Sequence, residues 1–215
     1  MDWSIIWASR SLLLHGLAMS GLLVLTGAVG GMILGAGLAL MRLSRYRLLA
    51  VPAAAYVTVM RTVPLILVLF WFYFMLPLFT GHPLGALSSA LTSFVLFEAA
   101  FYCEIVRAGI QSVPTGQRLA GAATGLKDWQ TLRLIILPQA IAAMVPLLLN
   151  QVIILFQDTS LVYVVALHDF LTAANIVADQ QQRPIEMYTF VAIVYLVICY
   201  SLSLLVGRSK APLIR

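Results

Sequence analysis

Residues 116–138 read GQRLAGAATGLKDWQTLRLIILP, and the reading of the whole chain turns on this stretch. It carries Arg118, Lys127, Asp128 and Arg133 among small residues and lies between two long hydrophobic runs. Charged side chains are costly in hydrocarbon, so a segment this polar belongs outside the membrane that the rest of the chain requires. The succession Ala120, Gly121, Ala122, Gly125 and then Ile135, Leu137, Pro138 is too particular for a passive connector. The segment reads as the place where force enters the protein, and the flanking runs read as what that force moves.

The composition leaves lipid as the solvent for those runs. Of the 215 residues 62% are hydrophobic and 10% charged, where a soluble domain carries about 25% charged residues. The net charge of +5 points away from nucleic acid, because the basic residues sit at the ends of apolar runs, as membrane orientation requires. Cys103 and Cys199 both lie inside apolar runs, which argues against a disulfide framework or a metal cluster. The first apolar run is too long for a signal-peptide core and reads as a retained span, not a cleaved leader.

At about 20 apolar residues per crossing, five transmembrane helices are expected, over residues 14–41, 52–79, 84–110, 135–166 and 187–206. The chain is thus an all-α membrane protein, a single transmembrane domain over residues 1–215, with a cytoplasmic loop at 111–134. Gly27, Gly31 and Gly35 form two overlapping GxxxG spacings on one face of the first span and mark a close helix contact. Arg61 and Pro64 lie near the entry of the second span. Residues 168–183 are polar enough to leave the membrane, with a short amphipathic helix around Phe170, Ala174 and Val177. Arg42, Arg45, Arg47, Arg107, Arg118, Lys127, Arg133 and the tail residues Arg208, Lys210 and Arg215 fall on one side. By the positive-inside rule that side is cytoplasmic, with the N-terminus outside and the C-terminus inside.

Three acids lie within spans. Glu104 has Arg107 three residues on, on the same helical face, and reads as a structural pair. Glu98 has no local cation and shares a face with Tyr102. Asp158 sits in FQDTSLVY, where Gln157, Thr159 and Ser160 are also polar. Such side chains compete for backbone groups and loosen a helix, and loosened helices at mid-membrane make substrate sites in transporters. The bland alternative is mutual satisfaction of Glu98 and Asp158 within the bundle, with Arg61 as a further partner. No GxxxxGK[ST] occurs, and the two lysines, Lys127 and Lys210, are followed by Asp and Ala. The common metalloprotease and hydrolase signatures are missing too, so no catalytic residue and no enzyme activity is assigned.

Gly125 followed after nine residues by Ile135, Leu137 and Pro138 resembles the cytoplasmic loop of bacterial ABC importer permeases, which is EAA, three residues, Gly, nine residues, I-x-L-P. The chain departs at the start, with Leu119-Ala120-Gly121 in place of Glu-Ala-Ala. RTVP at Arg61 to Pro64, FEAAFYCEIVRAGIQS, AMVPLLL and LFQDTSLVYV are similar to the polar amino-acid uptake (histidine/glutamate-type) family, most of all to its glutamate/aspartate subunits. The resemblance implies a type I ABC importer permease fold in the bacterial inner membrane. It implies a second permease subunit as dimer partner, two cytoplasmic ATPase subunits that hold ATP and Mg, and a periplasmic amino-acid-binding protein. Residues 118–129 would form the coupling helix, with Arg118, Ala120, Gly121, Ala122, Gly125, Lys127, Asp128, Trp129 and Pro138 as the ATPase-coupling set. Glu98, Tyr102, Gln157, Asp158, Thr159, Ser160 and Arg61 would be candidates for the substrate path. Two other classes compete: a secondary transporter driven by an ion gradient, which would explain the buried acids, and a membrane scaffold subunit with no path of its own.

Overall fold

The computed structural model describes residues 3–83 and 85–210, with backbone alone for 208–210. Leu84, placed at the start of the third span, and Arg215, counted among the tail basics, lie outside the described residues. A short α1 (Ser4–Ala8) leads into α2 (Arg10–Leu43). There follow α3 (Arg47–Thr62), α4 (Leu65–Phe70), α5 (Leu76–Thr80), α6 (Ala86–Ser112), α7 (Thr115–Ala123) and α8 (Asp128–Thr131). The chain closes with α9 (Leu137–Asp158), α10 (Phe170–Gln181) and α11 (Pro184–Lys210). Among the described residues, four helical stretches are long and apolar enough to cross a membrane: Arg10–Leu43, Ala86–Ser112, Asp128–Val165 and Pro184–Gly207.

The expected second span, residues 52–79, is not one helix. Arg47–Thr62 and Leu65–Thr80 meet at 107°, so a fifth crossing exists only as this bent pair. The cause is local. Val63 precedes Pro64, and the proline ring excludes the α region for the residue before it; Val63 is extended at φ −96°, ψ 135°. Arg61 therefore lies at a corner inside the chain path and not at the entry of a span.

Two further prolines shape the helices without breaking them. Trp71–Met75 and Leu132–Ile136 are wide π-turns, and Pro77 and Pro138 follow them. A proline cannot donate to the carbonyl four residues back and its ring presses on it, so the turn ahead of it widens. The second π-turn lets α8 run into α9 as one helical column, which begins at Asp128 and not at residue 135.

The core is built on α2 against α6. Leu23, Gly27, Gly31, Gly35 and Ala39 lie on the buried face of α2, at near-helical spacing. A Cβ on Gly31 would stand 2.8 Å from Glu98 Cβ, and one on Gly35 would stand 2.7 Å from the Ala99 carbonyl oxygen and 2.9 Å from the Cys103 nitrogen. The glycine face is thus a helix contact, as expected. The contacts climb both helices together, so α2 and α6 run parallel, as a first and third crossing must. Leu155 of α9 closes on Gly27, and Met144 on Gly109, so α9 runs antiparallel to both. At one end α10 packs on Gly16 of α2, with Asp169 capping it by accepting from the Leu171 and Thr172 N–H groups. This is the short helix read from Phe170, Ala174 and Val177, all three of them buried.

Gly35→Ala drives its methyl into backbone atoms that cannot yield, and is expected to cost about 1–3 kcal/mol. Gly37→Ala, with nothing within 4 Å, is expected to be neutral. The melting temperatures of the two purified variants check the pair, and equal values would remove the α2–α6 contact as the organising packing.

Candidate functional site

The polar groups of the bundle fall into two clusters on different faces of α6. The first joins α6 to α9. Glu98 is fully buried, and Gln151 Nε2 donates to its two carboxylate oxygens at 3.3 and 3.1 Å. Tyr102, one turn on, is also fully buried, and its hydroxyl has no hydrogen-bond partner among the described residues. Asp158 lies about two turns beyond Gln151, at the end of α9. It is half-buried, and among the described residues no side chain donates to its carboxylate. Arg61 does not join this group and stands by Glu104 instead, so the alternative in which it would help satisfy Glu98 and Asp158 is not the arrangement found: Glu98 is held by a neutral amide.

The helix changes character at this acid. α9 ends at Asp158, and Thr159–Val165 is a tighter 3-10 helix, closed by Ala166 in the left-handed conformation at φ 57°. Thr159 Oγ1 donates to the Phe156 carbonyl and Ser160 Oγ to the Gln157 carbonyl, both at 2.8 Å. These are the local side-chain bonds that loosen a helix. Thr159 is buried, Ser160 is half-buried, and Gln157 is exposed.

The second cluster joins α6 to α2 and α3. Glu104 is bonded by Arg42, and Arg107 donates to it from Nε at 3.0 Å and Nη2 at 2.6 Å. Arg61 stands 3.6 Å from the same carboxylate. The Glu104–Arg107 pair read from the i,i+3 spacing is present. Arg42, 62 positions away, carried no local signal. Gln151 was missed for the same reason; the available hint was the amide pair Asn150-Gln151 in an apolar run, shortly before Asp158.

The polar loop holds a separate exposed element. In α7 (Thr115–Ala123) Arg118, Leu119, Ala120 and Ala122 face outward, and Leu119 is 70% exposed. Gly121 is the buried exception, packed on Thr131. Gly125 takes φ +77°, its N–H donates to the Ala122 carbonyl, and the Leu126 N–H donates to the Gly121 carbonyl. This is a glycine-terminated helix stop, which only a residue at ease with positive φ can make. The expected single helix over residues 118–129 is corrected accordingly. It stops at Ala123, and Lys127, Asp128 and Trp129 belong to the start of the next helix, where all three are exposed. Pro138 lies in the first turn of α9, also exposed. Gln139 Nε2 reaches Gln117 Oε1 at 3.5 Å and links α9 back to α7. Among the described residues no group of three or more His, Cys, Asp or Glu side chains could hold a metal ion.

A bundle of membrane-length helices, with two acids inside α6, a third at the end of α9 and an exposed, glycine-stopped helix beside them, has the make-up of a multi-pass membrane protein. The chain belongs to the family of inner membrane components of binding-protein-dependent transport systems, whose model matches residues 11–211. It is 48% identical over 216 residues to the glutamate/aspartate import permease protein GltK of Escherichia coli O6:H1, covering 97% of this chain and 96% of that one. It is 31% identical to the glutamine transport system permease protein GlnP of Escherichia coli strain K12, over 96% of this chain and 95% of that one. The fold superposes on a crystal structure of an amino acid ABC transporter with histidines at a TM-score of 0.92, with 28% identity and 99% of each chain covered.

Gln151→Leu strands the buried Glu98 and is expected to destabilise the protein by about 1–3 kcal/mol. Gln157→Leu, at an exposed position, is expected to change stability little. Thermal unfolding of the two variants in detergent checks the difference, and equal melting would remove Gln151 as the partner that matters.

Proposed function

We propose that the chain is a translocation-path subunit of an ATP-driven importer of glutamate and aspartate. The 48% identity to a glutamate/aspartate import permease, spread over 97% of the chain, carries this reading. The distribution of basic residues supports a reading with α7 and the loop in the cytoplasm, the N-terminus outside and the C-terminus inside. The working assembly pairs this chain with a second permease chain, two cytoplasmic ATPase subunits and a periplasmic binding protein. ATP and Mg belong to the ATPases, and this chain breaks no covalent bond.

Three features support the mechanism. Exposed small residues at Ala120 and Ala122 let α7 seat closely in a groove on the ATPase, with Leu119 as an apolar peg and Arg118 and Lys127 to meet acidic groups around it. The Gln117–Gln139 contact and the column from Asp128 to Val165 connect that seat mechanically to Asp158. At about 1.5 Å per residue, a displacement at the α8 end is delivered some tens of ångströms away without a flexible joint. Asp158, half-buried and without a side-chain donor among the described residues, is the natural partner for the α-ammonium of a substrate. Glu98, already held by Gln151, sets the electrostatics behind it.

ATPase activity of the reconstituted complex with its binding protein tests the substrate. Stimulation by glutamate and aspartate, and not by basic or neutral amino acids, is expected; stimulation by another class would keep the importer and overturn the substrate. Leu119→Asp is expected to leave the fold intact and abolish co-purification of the ATPase. Retention of the ATPase at wild-type stoichiometry would take α7 out of the docking surface. Asp158→Asn is expected to lower uptake at least tenfold with assembly unchanged, and normal uptake would remove Asp158 from the path.

A further inference from the structure

The cluster around Glu104 has more positive charge than its ion pairs use. Arg42 and Arg107 bond the carboxylate closely and are 18% and 29% exposed at the side chain. Arg61 is the outer member, 45% exposed and 3.6 Å away, beyond hydrogen-bond length. Its guanidinium lies over the Phe101 ring, 5.7 Å from the centroid. Among the described residues Arg61 makes no side-chain hydrogen bond, and Glu104 is the only carboxylate within 4 Å of any of the three arginines. Three cations on one anion leave two positive charges uncompensated at the inner flank of the bundle.

We infer that the Arg61 side of this cluster is a binding site for an oxyanion, a carboxylate or a phosphate, and that Glu104 both holds the arginines in place and competes with the incoming anion. A guanidinium offers five donors in a planar fork that matches such anions bidentately. Arg42 and Arg107 occupy Glu104, so the fork of Arg61 is the one left open. Phe101 fixes the plane of that fork from one side, which lowers the entropy lost on binding. The partial shielding of Arg42 and Arg107 keeps their field from being screened as a surface charge would be. The site stands on the last turn of α3, beside the Val63–Pro64 corner, so an anion bound there ties the bent arm to α6.

Two sources supply this chemistry. One is the carboxylate of an amino acid leaving the path, which rests on the function proposed above. The other is the phosphate of an anionic lipid, because Arg45 and Arg47 mark the same end of α2 as lying near the membrane surface.

The test uses the intact permease–ATPase complex in detergent, with radiolabelled glutamate as one probe and phosphatidylglycerol, read by native mass spectrometry against phosphatidylcholine, as the other. Arg61→Gln is expected to weaken binding of one probe about tenfold, the loss of one charged fork. Glu104→Gln removes the competitor and is expected to hold or strengthen the same binding. A response confined to glutamate identifies the substrate as the source, and one confined to phosphatidylglycerol identifies the lipid. Binding of both probes unchanged in Arg61→Gln would overturn the site. So would equal weakening by both substitutions, the pattern of a purely structural cluster. If Arg61→Gln lowers recovery of the complex, Arg61→Lys keeps the charge without the fork; weakened binding at wild-type melting temperature is then expected, and unaltered binding overturns the proposal. Glutamate-stimulated ATPase activity of the wild type is read separately: its absence, with lipid binding still sensitive to Arg61, would sink the transport reading and leave the anion site standing.

Discussion

The backbones of α2 and α6 touch because Gly31 and Gly35 place no atom between them. In water such a contact would be one of many ways to hide apolar surface. In lipid the tails are as apolar as leucine, so hiding surface gains nothing and close packing must hold helices together. The two glycines let α2 settle onto Ala99 and Cys103 at backbone distance. That seat fixes the rotation of α6 about its own axis. With α6 rotated this way, Glu98 turns toward α9 and Glu104 turns toward α3 and the end of α2. Both polar clusters are therefore consequences of one steric contact.

The clusters solve the same problem by different means. A buried acid without a partner is expensive, and the expense falls when hydrogen bonds or opposite charge reach it. Glu98 is met by a neutral amide, which leaves the site able to respond to a cation. Glu104 is met by more cations than it can neutralise, which leaves the site able to respond to an anion. The two acids stand six residues apart on one helix, so a single element presents an amide-held carboxylate on one face and an arginine-held carboxylate on another.

Much of this was legible in the sequence. Hydropathy located four of the five expected crossings, since a long apolar window is enough to mark a straight spanning helix. The GxxxG face was legible because helical periodicity is fixed at 3.6 residues. The exposed loop was legible from its charges, its small residues and the Gly125-to-Pro138 spacing. The physical role of Gly125 needed the backbone, because a glycine in sequence does not reveal whether φ is positive. The corner at Val63–Pro64 was hidden for a related reason: hydropathy does not record direction, and both limbs of the bent pair are apolar. Gln151–Glu98 and Arg42–Glu104 span 53 and 62 positions, and no local spacing rule reaches that far. The i,i+3 rule found Arg107 and stopped there.

The prolines explain how one chain can be straight in one stretch and bent in another. Pro138 follows a π-turn, which absorbs its missing donor and clashing ring while the column from Asp128 to Val165 remains continuous. Pro64 has an extended residue before it and no turn to absorb the conflict, so the chain folds through 107°. The column joins the exposed loop to Asp158, where a rigid strut is useful. The corner lies beside Arg61, where a change of angle between α3 and the arm can be felt by a single ion pair. Placing a proline one way makes a strut and placing it the other makes a joint, and the protein uses each where its charges need it.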